Sequence, residues 1–211
     1  MIYSEDFIWL HFPKCAGTKI EHLAKNYLSD EPGLYQDPVG RELDPSIKWH
    51  DSIASRQQRD PNFSVEGKTI ICSFRKLPSW LESRYNFDHH DADKTNPNWP
   101  NIPELLLQGE FFWASGPKSH ADKVCRYYLP AELMETGKVK FLRMEFFKND
   151  FQSIFSEFVD ISKIPDSEYE KRANKSTSYL PKDIKEKLYE NTEGLHKKCP
   201  YWKRIEDIAY G

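Results

Sequence analysis

Three short apolar runs in this chain are each followed by a loop and then by residues with helical spacing. The runs FIWLHF (7–12), KTIICSF (68–74) and VKFLRM (139–144) have the composition of buried strands. Helices are predicted from about Thr18 to Leu28, from Pro78 to about Phe87, and over 147–159. Alternating strands and helices predict an α/β fold with a central parallel sheet flanked by helices.

The length of the chain favours one domain over the whole of 1–211, because 211 residues exceed a typical domain only slightly. Two stretches rich in Pro, Asp and Asn, 29–46 and 88–103, are predicted as long surface loops. The C-terminal third is predicted to hold a helix over 181–191 followed by a tail that contains Trp and Tyr.

Charge and hydropathy exclude several function classes. The 30 Lys and Arg are balanced by 33 Asp and Glu, so no overall basic field exists for nonspecific binding to nucleic acid or an anionic membrane. No apolar run approaches the ~20 residues of a membrane span. The N-terminal segment is interpreted as a first strand and not as a secretion signal. We therefore expect a cytoplasmic protein with no nucleic-acid or membrane partner and leave its oligomeric state open.

The four cysteines at 15, 72, 125 and 199 are widely spaced and form no C-x-x-C pair. They are predicted to be reduced thiols. The pair His89-His90 lies in the acidic segment HHDAD, where solvated side chains are the simpler interpretation. We therefore expect no metal.

Two strand–helix junctions carry basic residues at the position where parallel α/β proteins bind anions. The first, PKCAGTK (13–19), offers small residues, a hydroxyl at Thr18 and charge at Lys14 and Lys19. An ordinary helix cap with solvated lysines fits the same residues. The second junction has Arg75 at the predicted strand end and Ser83 eight residues later, which also fits an ion-paired arginine and a surface serine.

Taken together, the two junctions resemble those of PAPS-dependent sulfotransferases, especially the carbohydrate type. FIWLHFPKCAGTKIEHL (7–23) is similar to their 5′-phosphosulfate loop, and IICSFRKLPSWLESRY (70–85) is similar to their 3′-phosphate segment. FLRMEFFKNDFQSIF (141–155) and RANKSTSYLPKDIKEKLYE (172–190) are similar to two further segments in the family order. The resemblance implies a P-loop-like three-layer fold and sulfuryl transfer from 3′-phosphoadenosine 5′-phosphosulfate (PAPS) to a glycan or small-molecule hydroxyl, with release of adenosine 3′,5′-bisphosphate.

The resemblance also implies residue roles. Lys14 contacts the bridging oxygen of the phosphosulfate, and the rest of the loop holds the 5′-phosphate. Arg75 and Ser83 hold the 3′-phosphate. Cys15 and Lys19 stand where the family more often has Ser or Thr. The residues implied in cofactor binding are Lys14, Cys15, Ala16, Gly17, Thr18, Lys19, Arg75, Ser83, Asn174 and Ser176.

The acceptor hydroxyl needs a general base, and histidine titrates in the required range. His50, at a predicted loop-to-helix junction, is the first candidate, and His89 and His90 are the alternatives. His11 is interpreted as packing or as a wall of the site. Glu21 and Glu82, one turn into their helices, are weaker candidates.

Other chemistries fit less well. Gly67-Lys68-Thr69 resembles the end of a triphosphate loop, but the required earlier glycine is Asn62. A cysteine phosphatase built on Cys15 needs an arginine at position 21, which is Glu21. The remaining alternative to a sulfotransferase is a catalytically inactive nucleotide-binding protein of the same fold. The acceptor itself is not specified by any motif.

Overall fold

The computed structural model describes residues 1–37, 50–96, 98–171 and 177–211, without the side chains of 93–95. The chain forms two compact units that interleave along the sequence. The first comprises Met1–Phe74 and Tyr128–Ala173, and the second comprises Arg75–Tyr127 and Asn174–Gly211. The expectation of a single domain over 1–211 stays a prediction. Helices and strands are numbered below in chain order.

A five-stranded mixed sheet forms the centre of the first unit, with the strand order β3-β1-β2-β4-β7. The strands are β1 (Ile2–Tyr3), β2 (Phe7–Leu10), β3 (Tyr35–Gln36), β4 (Thr69–Phe74) and β7 (Val139–Arg143). β2 pairs with β4 and β4 with β7 in parallel, which confirms the predicted parallel core of the sheet. β1 pairs antiparallel with both β2 and β3. This antiparallel edge is an addition that sequence reasoning missed.

The first unit also contains five helices and one 3-10 turn among its described residues. These are α1 (Gly17–Tyr27), α2 (Ile53–Arg59), α5 (Ala131–Glu135), the 3-10 turn Met144–Phe146, α6 (Phe147–Phe155) and α7 (Asp166–Glu170). Apolar residues of α1 and α6 form one buried cluster with residues of the central strands. In that cluster Phe151 stacks on Phe155 with ring centroids 4.3 Å apart. Both helices therefore belong to the core on which the sheet rests.

The second unit is built around helices. Its elements are α3 (Leu77–Thr95), the 3-10 helix Pro103–Gln108, β5 (Glu110–Phe112), β6 (Lys118–His120), α4 (Ala121–Tyr128), α8 (Lys182–Glu190), α9 (Thr192–Lys198) and α10 (Pro200–Tyr210). β5 and β6 form a separate antiparallel pair. The core of this unit includes Trp80 and Trp202, whose ring centroids lie 4.7 Å apart and which are both fully buried.

The prediction that residues 88–103 form a loop was wrong over its first half. α3 continues to Thr95, about two turns beyond the predicted end near Phe87. Both local and tertiary contacts hold this polar stretch in the helix: Asp88 forms a buried ion pair with Arg84 one turn earlier and accepts a hydrogen bond from the Ala114 N–H at 3.1 Å. The C-terminal tail, for which the sequence predicted no particular structure, forms α9 and α10.

All four cysteines are buried thiols, as predicted. In the part of the chain that the structure describes, no helix is both long enough and apolar enough to cross a membrane.

Candidate functional site

The loop between β2 and α1 has an unusual backbone. Lys14 has φ 63° and Ala16 has φ 57°, and among the described residues no other non-glycine residue has positive φ. A non-glycine residue in the left-handed region costs about 1 to 3 kcal/mol and persists only where its surroundings enforce it. The first unit therefore maintains a strained five-residue loop, 13–17, at the carboxyl end of a central parallel strand.

The residues around this loop explain how it is held. Cys15 is fully buried, and its N–H donates to the Phe12 carbonyl at 3.3 Å. A Cβ on Gly17 would collide with the imidazole Nε2 of His11, so only glycine fits at that position. Gly17 and Thr18 begin α1, where backbone N–H groups have no intrahelical acceptor. Such N–H groups, together with the helix dipole, favour an anion at this place.

The two lysines of the loop region have different surroundings. Lys14 is half-buried within the loop itself. The Lys19 ammonium donates to the carbonyl of Tyr169 and lies 4.4 Å from the centroid of the Phe147 ring. Burial lowers the pKa of Lys19, and the Glu168 carboxylate opposes that effect. The charge of Lys19 is therefore engaged by α6 and α7, so its part in the loop is that of its backbone.

His50 lies in the first unit beside the loop. It precedes α2, whose cap Ser52 accepts a hydrogen bond from the Ser55 N–H at 3.2 Å. The Nδ1–H of His50 donates to the carbonyl of His11 at 3.1 Å, and the two imidazole centroids are 4.1 Å apart. Tyr128 donates its hydroxyl to the His50 carbonyl at 2.7 Å. The prediction that His50 lies just before a helix is confirmed, and the structure brings His50 together with His11, two residues before the loop.

Sequence reasoning gave no catalytic or binding role to two residues of this region, and it interpreted His11 only as packing or as a wall of the site. His11 is buried, and its Nδ1 lies 2.8 Å from Oε1 of Glu21. Tyr128 is also buried and packs on Phe12 with ring centroids 5.1 Å apart. A histidine two residues before a glycine-containing loop was a visible signal for the first. No local pattern marks Tyr128, which lies 78 residues from the carbonyl that it contacts.

Arg75 and Ser83 belong to the second unit. Arg75 follows the last residue of β4, and its Nε is buried without a hydrogen-bond partner among the described residues. Ser83 is half-buried on α3. Its neighbour Glu82 accepts hydrogen bonds from the Tyr189 hydroxyl and the Lys185 ammonium, each at 2.6 Å. A buried guanidinium N–H without an acceptor among the described residues is suited to an anion that those residues do not themselves provide.

The alternative histidines lie on α3 and not in a loop. His89 stacks on Tyr179 with ring centroids 4.4 Å apart and planes at 14°, and the Nδ1 of His90 lies 3.2 Å from the Tyr179 hydroxyl. Both histidines therefore contact one tyrosine of the second unit. The predicted cofactor residues Asn174 and Ser176 lie outside the described residues.

Within the described ranges, no group of three or more His, Cys, Asp or Glu side chains could hold a metal ion. Comparison with known proteins identifies no relative: no protein-family model, no curated protein and no solved structure matches this chain.

Proposed function

We propose that this protein is a sulfotransferase that moves the sulfuryl group of PAPS to an acceptor hydroxyl. The observation that carries the proposal is the strained loop 13–17, which places Lys14 and the start of α1 directly after a central parallel strand. The order of strand, loop and helix supports assigning the first unit to the P-loop-like three-layer class. The residue match to the sulfotransferase loop supports the choice of sulfate as the transferred group.

Lys14 is assigned to the leaving group. In-line displacement at sulfur breaks the S–O bond to the 5′-phosphate, and negative charge grows on the bridging oxygen. A fixed ammonium beside that oxygen interacts with it more strongly in the transition state than in the ground state. This difference lowers the barrier and accelerates the reaction. Gly17 and Thr18 hold the 5′-phosphate through N–H groups and a hydroxyl, and Cys15, Ala16 and Lys19 contribute the backbone that shapes the loop.

His50 is assigned as the general base. Because its Nδ1–H donates to a backbone carbonyl, the neutral ring carries its lone pair on Nε2. That nitrogen takes the proton of the acceptor hydroxyl while the oxygen attacks sulfur. The Tyr128 hydroxyl, bound to the His50 carbonyl, fixes the turn that carries the base.

Arg75 and Ser83 are assigned to the 3′-phosphate. The buried Nε of Arg75 has no acceptor among the described residues, and a guanidinium can donate to a phosphate through two N–H groups at once. Asn174 and Ser176 keep the cofactor role implied by the family resemblance.

The proposal is tested by incubating the protein with sulfur-labelled PAPS and a panel of glycans, phenols and small alcohols. The expected result is labelled sulfate on at least one acceptor, together with equimolar adenosine 3′,5′-bisphosphate. Tight binding of the bisphosphate without transfer to any acceptor would instead support the inactive nucleotide-binding protein. If the protein neither bound the bisphosphate nor transferred sulfate, both the sulfotransferase and the inactive nucleotide-binding protein would be refuted.

A further inference from the structure

A histidine and a glutamate are buried together next to the loop of residues 13–17. His11 follows β2 and is 4% exposed, and Glu21 of α1 is 6% exposed. The Nδ1 of His11 lies 2.8 Å from Oε1 of Glu21. A buried carboxylate is unfavourable unless it is paired, so each side chain fixes the other. The mechanism proposed above uses neither of them.

His11 contacts both functional elements of the first unit. Its Nε2 fills the space that a side chain on residue 17 would occupy. Its carbonyl accepts the hydrogen bond from Nδ1 of His50 at 3.1 Å. One residue therefore touches the loop that carries Lys14 and also the histidine assigned as the base.

We propose that Glu21 and His11 are positioning residues of the transfer site: Glu21 orients the His11 ring, and His11 sets both the loop and the His50 imidazole. This inference rests on the proposed sulfotransferase function. The Trp9 ring stacks on His11 with centroids 5.2 Å apart and planes at 29°. The His11 imidazole is thus held by an ion-pair partner and an aromatic ring while it contacts the loop and the base.

The test is the variant Glu21→Gln, which keeps the size of the side chain and removes its charge. On the acceptor that the panel identifies, we expect kcat to fall about 10-fold to 10²-fold, in the range expected for misplaced reacting groups. The KM for PAPS should change much less. A fall in kcat with a nearly constant KM is what misplaced reacting groups produce, whereas a general loosening of the fold would raise the KM as well.

Asp150→Asn is the matched control. Asp150 is a buried carboxylate of the same unit, 8% exposed, and it is paired with Arg143 at 2.8 Å. This variant should lower the melting temperature while leaving kcat and the KM for PAPS unchanged. Wild-type kcat in Glu21→Gln would overturn the inference, and so would equal falls of kcat in both variants.

Glu21→Asp is a second variant in case the first does not fold. It keeps the charge and shortens the side chain, so kcat should fall while the KM for PAPS stays near its wild-type value. Unchanged kcat in Glu21→Asp would contradict the positioning role. A wild-type protein that transfers no sulfate would refute the proposed function itself, which separates that failure from the failure of this inference.

Discussion

The junction after β2 and the junction after β4 begin from the same sequence pattern and differ in how the following helix starts. After β2 the backbone passes through two left-handed residues, Lys14 and Ala16, before α1. After β4 it stays at negative φ, with Lys76 at φ −57° and ψ 141° before Leu77 and Pro78. The first junction stores backbone strain, and the second does not.

The two helix N-termini also differ in what occupies them. The Leu77 N–H at the start of α3 donates to the carboxylate of Glu206 at 2.9 Å, and that carboxylate is buried. The start of α3 thus already holds an anion from its own chain. At the start of α1 the neighbouring imidazole of His11 faces Gly17, and the region's buried carboxylate, Glu21, is paired with that imidazole. Under the proposed function, the start of α1 binds the exogenous phosphate, and the second junction acts through its side chains.

The largest effect is expected from His50→Ala. Loss of a general base should lower kcat on a hydroxyl acceptor by about 10²–10⁴-fold and remove the acidic limb of the pH–rate profile. The affinity for adenosine 3′,5′-bisphosphate should not change. His22→Ala, an exposed histidine of α1, serves as the control and should behave as wild type in steady-state kinetics.

If His50→Ala kept wild-type activity while a separate His89→Ala or His90→Ala variant was inactive, the general base would be assigned to α3. The comparison between the junctions would then be reversed, because the acid–base chemistry would lie with the second unit.

Lys14→Ala tests the strained junction directly. Its kcat should fall by about 10²–10³-fold, the range for loss of one group that stabilises developing charge. Binding of the bisphosphate product should weaken far less, because the contact strengthens only as the bridging oxygen gains charge. Lys25→Ala, in the last turn of the same helix, controls for the general loss of a lysine. Near-normal turnover in Lys14→Ala would show that another cation stabilises the leaving group.

Arg75→Ala tests the side-chain role of the second junction. Affinity for PAPS should drop by about 2–4 kcal/mol, as expected for lost charge-assisted hydrogen bonds. Adenosine 5′-phosphosulfate, which lacks the 3′-phosphate, should bind almost as before, and Ser83→Ala should give the same selectivity with a smaller loss. Calorimetric titration of both nucleotides measures this difference. Equal losses for the two ligands would show that Arg75 does not recognise the 3′-phosphate.

Glu206→Ala should give the smallest functional effect and a clear effect on stability. It leaves the buried Leu77 N–H without its acceptor, which costs about 1–3 kcal/mol and lowers the melting temperature by about 2–4 °C for each kcal/mol. Nucleotide affinity should stay unchanged. Glu193→Ala, on the exposed surface of α9, is the control in the same thermal melts. A large loss of nucleotide affinity in Glu206→Ala would place ligand binding at the start of α3 and break the comparison.

Local patterns were sufficient to predict the parallel core of the sheet. The apolar runs at 7–12, 68–74 and 139–144 correspond to β2, β4 and β7, because a buried parallel strand is nearly continuous in apolar residues. β1 and β3 have only two residues each and pair through their backbones. Such short strands leave no periodicity to detect.

The length of α3 was not predictable from composition. Residues 88–95 are polar and have the composition of a loop, and their helix is stabilised by contacts distant in sequence, such as His89 with Tyr179. Secondary-structure propensity is a weak signal that tertiary contacts override.

In the candidate site, too, features set by neighbouring residues were predictable and features set by tertiary contacts were not. The sequence predicts the loop 13–17 and the placement of His50 before a helix, since both depend on residues close together in the chain. The Glu206 contact with Leu77 joins residues 129 positions apart. The Glu21 contact with His11 spans only ten residues, yet it depends on how β2 and α1 pack and was therefore missed as well.

The most direct test of the account is thermal unfolding of the wild-type protein with adenosine 3′,5′-bisphosphate. A ligand that binds only the folded state, at 100 times its Kd, stabilises that state by about 2.7 kcal/mol. The account predicts a rise in the melting temperature that saturates with bisphosphate and is lost in Gly17→Ala, where the added Cβ collides with His11. An unchanged melting temperature at millimolar bisphosphate would contradict the claim that the junction after β2 binds this nucleotide.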